Sequence, residues 1–145
     1  MIGLLQRVSQ AQVMVDSEVV GEIERGLLVL IGIERGDSEA KADRLLERLL
    51  SFRVFPDSDD RMNLSLRDID GDLLLVPQFT LAADTRKGNR PGFSNAAKPD
   101  DGQYLFNYLY AQATGRHAWV QRGIFGADMQ ISLINDGPVT FWLQC

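Results

Sequence analysis

Alternation of apolar and polar positions opens the chain. Ile2, Leu4 and Val8 share one parity and Ala11, Val13 and Val15 the other, so residues 2–15 read as a strand whose register slips near Ser9-Gln10. A β-bulge there is the natural cause. Val19, Val20 and Ile23 lead through Gly26 into LLVLIGI, an unbroken apolar run that suits a strand buried on both faces. The period then changes. In DSEAKADRLLERLLSF, Ala42, Leu45, Leu46, Leu49 and Leu50 form one helical stripe, with Asp37 or Ser38 as N-cap and Glu39 in the first turn. RVFPDSDDRMNLSL predicts two short strands around a turn, and DLLLVPQFTL a further strand interrupted by Pro77.

From Ala82 to Pro99 runs a polar segment with two prolines and two glycines, long for a connection and therefore a candidate functional loop. DDGQYLFNYLYAQATG predicts a second helix with Asp100 as N-cap, Gln103 completing a capping box, Leu105, Tyr108 and Leu109 inward, and Gly115 as terminator. HAWVQRGIF, ADMQISLI and VTFWLQ close the chain as strands, the last two joined by a tight Asn135-Asp136-Gly137 hairpin. The expected architecture is one α+β domain over residues 1–145: a mostly antiparallel, curved or β-barrel-like sheet with two packed helices.

Composition narrows the function. A formal net charge of −5 over 145 residues argues against an extended basic face for nucleic acid, but leaves room for contact with one nucleic-acid end. The one dense basic stretch is TRKGNR, with Arg86, Lys87 and Arg90. A single cysteine, Cys145, forms no disulfide within the chain. No run approaches the ~20 apolar residues of a membrane span, and the first residues do not have the pattern of a secretory signal, so a cytoplasmic protein is expected. His117 is the sole histidine, which rules out a two-histidine zinc site, and neither metal nor cofactor is expected. Placed just past a helix, it reads as a C-terminal-turn histidine favoured by the helix dipole. The GxSxG, GxxxxGK and GxGxxG signatures are all absent.

Two segments stand out. PQFTL places Gln78 and Thr80 on one side of the expected strand with Phe79 opposite, although a strand threonine usually serves as a β-branched filler. NDGPV follows its turn residues with a Gly-Pro pair, which fixes the backbone tightly.

Together QFTLAADT, RPGFS, FGADMQ and NDGPVTFWLQ resemble the D-aminoacyl-tRNA deacylase family, also called D-tyrosyl-tRNA deacylase, over essentially the whole chain. The resemblance implies a β-barrel-like homodimer with active sites at the subunit interface. It also implies hydrolysis of the ester that joins a D-amino acid, or glycine mischarged on tRNA-Ala, to the 3′ end of tRNA. By position, Gln78, Phe79 and Thr80 match the catalytic motif that receives the terminal adenosine. Gly137-Pro138 matches a Gly-cis-Pro pair that one subunit inserts into its partner's pocket as a filter against L-amino acids. Arg7 matches the residue that steadies this pair, Phe125 and Met129 match apolar pocket-lining positions, and Arg86, Lys87 and Arg90 would guide the acceptor end.

The chain departs from the family pattern at Pro77, where serine is usual, and at Arg122 and Ile124. Two other readings share the scaffold: an esterase or amidase for small substrates, suggested by Pro77, and a non-catalytic dimeric module that binds an adenosine-like group.

Overall fold

The computed structural model describes residues 1–145. Its organising strand is β1 (Ile2–Val15), whose first half pairs antiparallel with β3 (Gly26–Gly32) and whose second half pairs with β2 (Glu18–Ile23). A long strand, β8 (Gln130–Gln144), runs antiparallel to β1 along nearly its whole length. On the other side of β3 the sheet continues with β6 (Asp72–Pro77) and β7 (Val120–Arg122). β2 curls back toward β7 and nearly closes a barrel: a Cβ on Gly21 would sit 2.9 Å from the carbonyl oxygen of Arg122.

The α+β reading holds, with one refinement. The pairings of β1 are antiparallel, but β3–β6 and β6–β7 are parallel. Parallel neighbours need a long crossover. The two helices provide it, α1 (Glu39–Ser51) between β3 and β6 and α2 (Pro99–Arg116) between β6 and β7. Apolar patterning marks burial and carries no strand direction, so this part of the topology was not in the pattern. A small hairpin of β4 (Phe55–Pro56) and β5 (Met62–Leu64) completes the first crossover.

The unbroken apolar runs are explained by two cores. Leu27, Val29, Ile31, Leu73 and Leu75 face the helices, where they meet the α1 stripe together with Leu105, Phe106 and Leu109. Leu28, Leu74 and Val76 face the barrel interior with Ala11, Val13 and Ile23. Leu5 belongs to the first core, whereas Ala11 and Val13, of the same parity, belong to the second. A bulge makes that switch: Val8 lies opposite Asn135 and Gln10 opposite Ile134, which leaves Ser9 as the extra residue.

Ser38 caps α1, its hydroxyl accepting from the Lys41 N–H, and all five stripe residues are buried. The expected ends of α2 are corrected. Pro99 occupies the first helical position, where its fixed φ suits the helix and its missing N–H is not needed, so Lys98 stands at the cap and Asp100 lies in the first turn. Gly115 does not stop the helix, which runs on to Arg116 with His117 at its end. Tyr108, half-buried, donates its hydroxyl to Asp43 of α1 at 3.1 Å.

Leu49 is fully buried between α1 and the sheet. Leu49→Ala is expected to lower unfolding free energy by about 2–5 kcal/mol, read from the urea midpoint at unchanged slope. A loss below about 1 kcal/mol would contradict this packing.

Candidate active site

The strand expected across PQFTL ends at Pro77, and Phe79–Ala82 form a 3₁₀ turn. Gln78 and Thr80 therefore do not share a strand face. The change follows from the ladder. The Gln78 N–H still donates to the Ile31 carbonyl at 2.8 Å, but β7 has already ended at Arg122, so nothing continues the sheet on the other side of Pro77. The Pro77 ring packs beside Gly123, whose missing side chain also leaves room for the Met129 sulfur. The turn closes as Leu81 N–H donates to Gln78 O and Ala83 N–H to Thr80 O. Gly32 makes this docking possible, since a Cβ there would lie 2.7 Å from Leu81 Cβ. The Gln78 side-chain amide donates to the Thr80 hydroxyl, and Phe79 stands 59% exposed. All three motif residues thus sit where the parallel strands β3 and β6 end side by side.

The second motif is not a hairpin. Asn135 pairs with Val8 and Thr140 with Gln6, so Asp136, Gly137, Pro138 and Val139 stand opposite Arg7 alone. Both flanks continue in one direction along β1, and the four residues bulge out of a single strand. Asn135 closes the bulge through its side chain: Oδ1 accepts from the Val139 N–H at 2.7 Å, and Nδ2 donates to Val139 O, Thr140 Oγ1 and Gln6 Oε1. Arg7 anchors the base, donating through Nε to Asp136 O at 2.8 Å and through Nη1 to Val54 O at 2.7 Å. The Gly137-Pro138 peptide is cis and both residues are exposed.

Within one chain the two motifs do not meet. From β6 to β8 is three strands, and from the level of Gly3, beside Ile31, to that of Arg7 is four residues. At ~4.8 Å per strand and ~3.3 Å per residue this is roughly 20 Å. Met129 lies beside Pro77 and Gly123, next to the first motif. Phe125 packs instead on Phe106, ring centroids 6.4 Å apart, and over Gly102 at the start of α2.

Arg86, Lys87 and Arg90 line one surface groove of about 460 Å³ together with Asp84, Gly92 and Ser94. Their roles differ. Arg86 grips Asp84 with Nε at 2.9 Å and Nη2 at 2.7 Å, and this guanidinium, with the Arg86 N–H, holds the Asp84 carboxyl far below the usual carboxylate range. Arg86 thus braces the loop, whereas Lys87 and Arg90 form no ion pair within the chain.

His117 accounts for no chemistry here. Its Nε2 lies 2.6 Å from the Gly71 carbonyl, just before β6, whereas Gln78 follows β6. Six strand residues separate those ends, or roughly 20 Å. No group of three His, Cys, Asp or Glu side chains is arranged to hold a metal ion. Two residues important to the geometry escaped the sequence reading. Asn135 reads from sequence as a turn former, and Phe93, whose ring lies 5.1 Å from that of Phe79, falls within RPGFS, a stretch that carries the resemblance without giving this residue a role.

The family model described as D-Tyr-tRNA(Tyr) deacylase matches residues 4–144. The chain belongs to this family. Among curated D-aminoacyl-tRNA deacylases, that of Nitrosococcus oceani is 63% identical over 144 residues, covering 99% of this chain and 93% of the relative. That of Cellvibrio japonicus is 57% identical with 99% of both chains covered. Among solved structures, one titled c-Myc DNA Unwinding Element Binding Protein superposes with a TM-score of 0.96 at 34% identity, over 100% of this chain and 99% of that one. Family membership agrees with the nearly closed barrel and its two packed helices.

Asn135→Ala would strip the half-buried Val139 N–H of its partner. An unfolding free energy lower by about 1–3 kcal/mol is expected, with faster hydrogen exchange at the Val139 amide. Unchanged exchange would contradict the closing role of Asn135.

Proposed function

We propose that this chain hydrolyses the ester of D-aminoacyl-tRNA, and of glycyl-tRNA mischarged on tRNA-Ala, as a cytoplasmic homodimer in which each subunit completes its partner's site. The observation that carries the shared site is the separation of the two motifs. Gly137-Pro138 stands exposed on a braced bulge, roughly 20 Å along the sheet from its own Gln78–Thr80 turn. A closed two-fold pairing brings each bulge to the other chain's turn twice over.

An aminoacyl ester is already activated, so the site can work by orienting it and its attacking water without a side-chain nucleophile. The Thr80 hydroxyl already accepts a bond from Gln78, and no histidine is in reach to deprotonate it. Gln78, Phe79 and Thr80 place the ester and terminal adenosine, with backbone N–H groups of the turn facing the developing oxyanion. The 2′-hydroxyl of the terminal ribose assists the water. Gly137-Pro138, steadied by Arg7, is the chirality filter: it crowds the side-chain direction of an L-residue, which a D-residue or glycine avoids. Met129 supplies apolar lining beside the turn, and Phe125, which follows β7 and packs on Phe106 and Gly102 of α2, is assigned to the apolar lining by its match to the family. Lys87 and Arg90, on a loop stiffened by Arg86, attract the acceptor end.

In a deacylation assay, D-Tyr-tRNA is expected to be cleaved and L-Tyr-tRNA spared. Cleavage of both at similar rates, or of a free D-tyrosine ester in preference to the tRNA, would overturn the assignment. Thr80→Ala should slow cleavage only modestly; a loss as large as that from removing the substrate's 2′-hydroxyl would make Thr80 a nucleophile. At Gly137 a Cβ would lie 2.6 Å from Val139 Cγ2, so Gly137→Ala must reshape the bulge. It is expected to lower rate or chiral discrimination, and full retention of both would refute the filter.

A further inference from the structure

Phe79 and Phe93 expose 59% and 42% of their surface, with ring centroids 5.1 Å apart and planes tilted by 50°. Two large aromatic side chains exposed side by side form a candidate contact surface. Both rings are held from below, Phe79 by the 3₁₀ turn and Phe93 by the backbone bridge between Asp84 and Gly92, with the Phe93 carbonyl accepting from Ala96 N–H at 3.1 Å. The chain neighbours of Phe93 on each side, Gly92 and Ser94, line the groove that holds Arg86, Lys87 and Arg90 against the one carboxylate of Asp84. That groove has no apolar lining residue. An exposed aromatic step therefore runs directly into a cationic trough.

The chemistry that satisfies both halves is a flat apolar face joined to an anionic edge. An acidic peptide would fill the trough and leave the rings wet, and an apolar partner helix would bury the rings and strand Lys87 and Arg90. A single-stranded nucleotide does both, its base stacking on the ring and its phosphate lying among the cations. Resting on the deacylase reading, the order of nucleotides follows: the terminal nucleoside carries the ester and sits at Phe79, between Gln78 and Thr80, and the strand leads away past Phe93. Stacked bases rise ~3.4 Å per step, so rings 5.1 Å apart suit neighbouring bases.

We infer that Phe93 is the stacking seat of the nucleotide on the 5′ side of the terminal adenosine, whose phosphate is held by Lys87 and Arg90. Phe93 is then a positioning residue that supplies uniform binding, which appears in KM rather than kcat.

The test compares steady-state cleavage of D-tyrosyl-tRNA with that of D-tyrosyl adenosine, which lacks the preceding nucleotide. Phe93→Ala is expected to raise KM for D-tyrosyl-tRNA about tenfold with kcat within about twofold, and to shrink the wild-type preference for tRNA over the adenosine ester by the same factor. Phe93→Trp should restore that preference and Phe93→Leu should not. An equal loss on both substrates, an unchanged KM for tRNA, restoration by leucine, or a shift in sedimenting mass that makes the ring pair a contact between copies would each overturn the inference. A wild-type chain that cleaves neither ester sinks the deacylase reading and this inference with it; an active wild type indifferent to Phe93 sinks this inference alone.

Discussion

The register of β8 on β1 is the constraint on which the proposed site depends. Asn135 is fixed opposite Val8 and Thr140 opposite Gln6, and the four residues between have only Arg7 to face. They cannot lie in the sheet, so they leave it. What would be a loose excursion is made a fixed one by polar groups at its base: the Asn135 amide closes the loop on itself, and the Arg7 guanidinium ties Asp136 O to Val54 O. Guanidinium bonds of this kind are stronger than neutral ones and fix direction as well as distance. Arg7 can make them because it sits on the strand that organises the barrel.

The same strand order decides where the other half of the site lies. β3 and β6 run parallel, their ends meet at Gly32 and Pro77, and the chain turns sharply there because the neighbouring strand β7 has stopped. The result is a shallow, exposed turn carrying Gln78, Phe79 and Thr80, with no acid-base pair of the kind hydrolytic side-chain catalysis uses. Such a surface suits the proposed substrate, an activated ester that brings its own hydroxyl, better than it suits a stable amide. The basic loop that follows is stiffened from within: Arg86 pairs with Asp84, and Lys87 and Arg90 form no ion pair within the chain.

Much of the fold was legible in the sequence. The α1 stripe, the slip at Ser9-Gln10, the two-sided burial of LLVLIGI and the β4–β5 turn follow from periodicity and turn chemistry, because each depends on neighbours close along the chain. Strand direction was hidden, since Leu27 to Gly32 looks the same beside a parallel or an antiparallel partner. The site was legible only in part. Gln78–Thr80, Arg7 and Gly137-Pro138 were singled out by resemblance, and the settings of the two motifs differ from expectation: a Pro-terminated strand became a 3₁₀ turn, and an expected hairpin became a bulge. Asn-Asp-Gly favours reversal locally, and the extended pairing with β1 overrode it. The cis geometry at Pro138 could not be read from residues, since X-Pro bonds are cis in only about 5–6% of folded cases.

The central claim is that one chain's bulge serves the other chain's turn, and subunit complementation tests it most directly. A chain carrying Phe79→Asp and a chain carrying Gly137→Val are each disabled in a different half of the site. After mixing and exchange of subunits, a two-fold dimer places both intact halves together in one site of every hybrid, so cleavage of D-Tyr-tRNA should return to roughly a quarter of the wild-type rate. Activity that stays at the level of the separate variants, with hybrids shown to have formed, would contradict a shared site.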